Sequence, residues 1–104
     1  MGFFSNDYEL SIGKNRISVK NIKDGICVTK IADEQFSSDT LLIARIRPFE
    51  AIVMHALKEA RGESKWRLAN VTISASDGEF AELEILFLEN FLKEAGASRL
   101  TITS

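Results

Sequence analysis

Over residues 16–22 apolar and polar side chains alternate with the period of two that a half-buried strand requires. Ile17 and Val19 share one face while Ser18 and Lys20 share the other. Strands are predicted over 8–12, 16–22 and 26–32. The first two are joined by the turn cluster Gly13-Lys14-Asn15, and the second and third by Asp24-Gly25, where glycine supplies the positive φ of a tight turn. Three short strands joined by tight turns make an antiparallel meander.

Beyond a polar loop at 33–40 the period changes. Residues 41–46 are apolar and fit either a strand-like stretch or an early helical turn. Pro48 suits the first turn of a helix, where its missing N–H costs nothing. Phe49, Ile52, Val53, Ala56, Leu57 and Ala60 then recur at helical spacing, with Gly62 as the stop. A charged loop at 63–67 carries Trp66 and leads to a buried strand over 70–75. Ser76 or Asp77 caps a second helix over 79–95, with Glu79 in its first turn, and Gly96 ends it before a last strand at 99–103. The order β-β-β-α-β-α-β predicts a single α/β domain over residues 1–104. Its expected form is a five-stranded mixed sheet with two main helices and right-handed crossovers.

Composition narrows the function classes. The 104 residues carry a net charge of −2, which gives no electrostatic case for nucleic acid or acidic lipid. A single cysteine, Cys27, excludes an internal disulfide and predicts a reducing, cytoplasmic setting. No stretch reaches the roughly 20 apolar residues of a membrane span, and the start MGFFSNDYEL lacks the basic and apolar regions of a secretory signal. It also lacks the Ser or Thr of a myristoylation signal. Phe3 and Phe4 alone make a poor membrane anchor.

Several segments resemble the MreB-like bacterial actins. IARIRP at 43–48 resembles the Ile-Arg-Pro segment after that family's first strands, and LANVTISAS resembles the strand before its helix. Leu83-Glu84, Leu88 and Ala95-Gly96-Ala97 resemble the helix that carries Val-Glu-Arg-Arg-Ala-Ile and ends in Gly-Ala-Gly-Ala. Residues 8–20 fall where the family has Ile-Asp-Leu-Gly-Thr and an apolar strand. The resemblance covers most of the chain as one shortened subdomain, the first (IA) part, and implies the ribonuclease H-like fold that actin-like ATPases use twice. It also implies an actin-like partner and a role near cell shape or the cytoskeleton. The nucleotide chemistry departs from the family. At the phosphate loop stands Leu10-Ser11-Ile12-Gly13-Lys14-Asn15, with Ser11 for the Mg²⁺-organising Asp and Lys14 for the Thr. A lone Gly-Lys is no Walker A loop. The family holds ATP between two large domains, of which this chain supplies part of one wall, so no ATPase activity and no cofactor are expected.

The second helix draws most attention. Phe80, Ala81, Ile85, Phe87, Leu88, Phe91, Leu92 and Ala95 span an arc of roughly 160°, wider than a helix on a sheet needs, and Leu86 lies outside it among charges. Ile85 and Leu86 stand where the family has two arginines, which points to a contact surface made of Glu84, Ile85, Leu86 and Glu89. One exposed leucine is also ordinary on a small domain. Glu84 has a second reading, a carboxylate serving the N–H groups of the first helical turn. His55 has no companions at metal-ligand spacing, so no metal is expected. Cys27 reads as a small buried strand residue. Lys65-Trp66-Arg67 reads as a loop pinned by its Trp, and Arg45 with Arg47 is too sparse for a nucleic-acid footprint. The expected function is a non-catalytic module that binds an actin-like protein or itself. The alternatives are a small-molecule or nucleotide-binding regulatory domain using Gly13, Lys14 and Asn15, and a relic of an actin-like ATPase.

Overall fold

Alternation along the first strands becomes one buried and one open sheet face. The computed structural model describes residues 7–61 and 70–103. Strands β1 (Asp7–Gly13), β2 (Arg16–Asn21) and β3 (Ile26–Ile31) form the meander, followed by helix α1 (Ile46–Ala60), β4 (Asn70–Ala75), helix α2 (Glu82–Glu94) and β5 (Arg99–Thr103). They build one five-stranded sheet in the order β3-β2-β1-β4-β5. β1 and β3 are antiparallel to β2, whereas β4 is parallel to both β1 and β5. The described residues are therefore α/β, with a mixed sheet and two helices. In register, Leu10 stands between Val19 and Ile73, and Tyr8 between Asn21 and Val71.

Tyr8, Leu10, Ile12, Ile17, Val19, Val71 and Ile73 are buried beneath the helices. Their alternates Glu9, Lys20 and Thr72 are exposed, with Ser11, Ser18 and Ser74 half-buried. Both described helices thus lie on the same face. α1 packs on β2 and β3, and α2 on β5. Phe49 joins the layers. It is fully buried, and its ring meets Phe36 at 5.2 Å, Phe87 at 5.9 Å and Phe91 at 6.2 Å, each edge-on. Such contacts add to area burial when ring quadrupoles meet edge to face. Fully buried Asn21 ties α1 to the β2–β3 turn. Its Nδ2 donates to Ala60 O at 3.0 Å and to Asp24 Oδ2 at 3.1 Å.

The elements fall where the patterns place them, with shifted helix starts. Residues 41–45 are neither strand nor helix, and α1 begins at Ile46, which puts Pro48 inside its first turn. α2 begins at Glu82 rather than 79. Gly78 takes φ +100° and Ala81 is extended, so residues 79–81 carry Phe80 into the core before the helix starts. Neither Ser76 nor Asp77 caps it. Cys27 is exposed on the open face, not buried. Gly62, the 63–67 loop and its Trp66 lie outside the described residues.

Candidate interaction surface

The Gly13-Lys14-Asn15 turn is built as a clamp for the loop that precedes α1. Asn15 takes the left-handed conformation (φ 53°), which asparagine tolerates. Its Oδ1 accepts from Phe36 N and Ser37 N, both at 2.8 Å, and its own N–H donates to Ser37 Oγ at 2.9 Å. Ser37 Oγ in turn donates to Leu42 O at 2.6 Å. On the other side, Lys14 N–H donates to Asp77 Oδ2 at 3.0 Å, with an Arg16 nitrogen 3.9 Å from the same oxygen. The backbone donors that a phosphate would take are thus held by a carboxylate and a hydroxyl of the chain itself. Gly13 permits this closeness, because a Cβ there would lie 2.5 Å from Asp77 Oδ2 and 2.6 Å from Ser76 Oγ. The adjoining cleft, about 630 Å³, is lined by Asp39, Asp77 and Glu79 against one cation, Lys14. That balance repels an anionic ligand.

Glu84 sits in the first turn of α2 and is 5% exposed. Its Oε1 accepts from Ala81 N at 2.7 Å, and its Oε2 accepts from Ile43 N at 2.6 Å. The first bond satisfies an orphan donor at the helix start, and the second fastens residues 41–45 against the helix. Glu84 is therefore spent on backbone N–H groups, as its second reading has it, and meets the outside only as part of a groove wall, a correction to its place as a partner-facing charge in the expected interface. Ile85 is half-buried and packs on the core. Leu86 is 56% exposed, and Glu89 is half-buried beyond it.

Glu84's bridge shapes a groove on the outside. Leu41, Ile43, Ala44 and Ile46 form one wall, and Ala81, Leu83 and Phe87 of the α2 side form the other, enclosing about 200 Å³. Leu83 is 79% exposed and Ile46 50%. Leu83 and Leu86 lie about 60° apart around the helix, so both face away from the sheet. The result is an open apolar patch across the start of α2, of the kind that marks contact sites. Of the expected residues, Leu86 joins this patch, Ile85 and Glu84 support it from inside, and Glu89 lies past it. Leu83 was missed although the same helical wheel carries it next to Leu86. Leu41 and Ile46 could not be found that way, because the fold of the 41–45 loop brings them there.

Among the described residues no three His, Cys, Asp or Glu side chains are grouped to hold a metal ion, and His55 is exposed on α1. No helix among them is long and apolar enough to cross a membrane. Comparison with known proteins finds no protein-family profile that matches the chain, and no curated protein or solved structure similar to it.

Proposed function

We propose that this chain is a non-catalytic protein-interaction module, built like one subdomain of a bacterial actin-like protein, and that it binds its partner through the groove at the start of α2. The observation that carries this reading is the exposure of Leu83, Leu86 and Ile46 around an apolar groove held open by Glu84. A ribonuclease H-like arrangement is supported by the element order, in which meander and both crossovers join one sheet. The partner that the resemblance implies is a full-length actin-like protein of the same cytoplasm. The acidic cleft beside Lys14 and the self-satisfied turn weigh against the nucleotide-binding alternative.

The test is binding of the purified chain to a purified actin-like protein from the same source. Leu83→Glu with Leu86→Glu places two charges in the patch without touching the core. Binding that falls about a hundredfold, with an unchanged circular dichroism spectrum, supports the reading. Binding that is unaffected sinks it. The same samples titrated with magnesium-ATP are expected to show no saturable binding.

A further inference from the structure

Among the described residues β3 is an outer strand of the sheet, paired with β2 alone. The hydrogen-bond phase says which of its backbone groups face outward. Ile22 N–H donates to Asp7 O at 2.9 Å, and Ala32 N–H donates to Asn15 O at 2.8 Å. Bonded pairs recur at every second residue of an antiparallel ladder. With Val19 opposite Val28 and Ile17 opposite Lys30, the backbone groups of Val28 and Lys30 point to β2. Those of Cys27, Thr29 and Ile31 are left at the outer edge. The side chains of these three lie on the open face, all are exposed, and Ile31 is 76% exposed.

Sheet edges are ordinarily blunted by charge, proline or a bulge. None of the three outward residues is charged and none is proline. The strand's one charged side chain, Lys30, lies on the helix side and is engaged by Glu59. The opposite edge, β5, by contrast begins with an exposed Arg99.

We propose that β3 is a strand-addition edge whose occupant is β3 of a second copy of this chain, paired antiparallel about a two-fold axis so that the two sheets become one. The order of charges along the edge selects this occupant. Lys23 lies in the turn before the strand and Asp33 in the bend after it, both exposed, while the neighbouring Asp24 is engaged by Asn21 and Glu34 by Arg45. Antiparallel self-pairing sets the basic start of each copy against the acidic end of the other, twice by symmetry. A register centred on Val28 sets Cys27 opposite Thr29 and brings the turn that carries Lys23 near the bend that carries Asp33 of the other copy. Cys27 and Thr29 both have outward backbone groups, so the ladder closes, whereas a slip of one residue would oppose an outward group to an inward one. In this register Ile26 of the second copy stands opposite Lys30 on the helix side. There a groove of about 340 Å³, with Pro48, Ala51 and Ile52 among its walls, receives an apolar side chain.

Sedimentation velocity on the full chain tests this. The wild type is expected to dimerise with rising concentration, and Thr29→Pro to stay monomeric with an unchanged fold, since the Thr29 N–H makes no bond to β2. Lys23→Glu and Asp33→Lys are each expected to weaken the dimer about tenfold, and their combination to restore it. This charge cycle decides the matter if the proline variant fails to fold. A chain that remains monomeric at every concentration, or a dimer indifferent to both charges, overturns the proposal. So does a dimer lost in the Leu83→Glu, Leu86→Glu variant, which would assign self-association to the α2 groove. A dimer kept by that variant supports the β3 edge.

Discussion

Glu84 shows how one buried side chain organises its surroundings. Its two oxygens each accept a backbone N–H, from Ala81 and Ile43. Removing it leaves two donors short of partners, each costing about 1–3 kcal/mol when buried. Glu84→Ala is therefore expected to lower the unfolding free energy by about 2–4 kcal/mol in urea denaturation. Glu84→Gln, with one acceptor oxygen and an NH₂ facing the second donor, recovers only part of the loss. Tyr8 is the opposite case. Its hydroxyl is buried and has no hydrogen-bond partner among the described residues. Burial pushes its pKa above the ordinary 10.0, Asp24 pushes it further, and Arg61 opposes both. The folded state therefore holds this proton more tightly than the unfolded chain does. The corresponding stability is complete below the ordinary value and is lost as pH rises through the folded one. Tyr8→Phe is expected to leave stability at neutral pH unchanged or raised by about 1 kcal/mol, and to blunt the fall in melting temperature above pH 10. A steeper alkaline fall in the variant would contradict this.

At the level of elements, the 32–45 segment is fastened at several points although it has no regular structure. Asn15 grips its middle, Glu84 its end, and the Phe36 ring stands on Phe49. Phe49 in turn touches both aromatic rings of α2, which stack on each other at 5.6 Å. Loop, α1 and α2 consequently share one residue as their common contact. Phe49→Ala is expected to cost about 3–5 kcal/mol. It should also raise hydrogen exchange at Ile43 and through the start of α2 together, whereas a purely local cavity would raise it in α1 alone. Asp77 illustrates a local preference overridden by tertiary structure. A residue fit to cap α2 bonds instead to the β1–β2 turn 63 residues away.

For the whole molecule, the decisive property is that both described helices cover one face of the sheet. The other face presents a ladder of small and charged polar groups, including a Ser18–Thr29 hydroxyl pair at 3.0 Å. Among the described residues the most exposed large apolar side chains are Leu83 and Leu86 on α2 and Ile31 at the end of β3. These two places lie on different elements, so the binding experiment with the Leu83 and Leu86 variant and the sedimentation experiment on β3 report on separate surfaces. Neither requires a bound nucleotide, consistent with a β1–β2 turn whose donors are already engaged.

Local pattern is enough to place the seven elements, because strand and helix periods are local and the breakers Gly13, Asp24-Gly25 and Gly96 stand between them. It also gives the buried faces of β2 and α1, since burial follows the same periods. Leu86 was readable as an outward residue on the helical wheel. The strand order, the engagement of Asp77 and Asn15, and the bond that Ile43 gives Glu84 come from the folded chain. Each of these rests on a partner far along the chain, as with Ile43 for Glu84, and no local pattern records a hydrogen bond closed across 41 residues. The exposure of Cys27 was decided the same way. Its apolar neighbours Ile26 and Val28 suggested burial, but alternation puts Cys27 on the face opposite theirs, and that face carries no described helix.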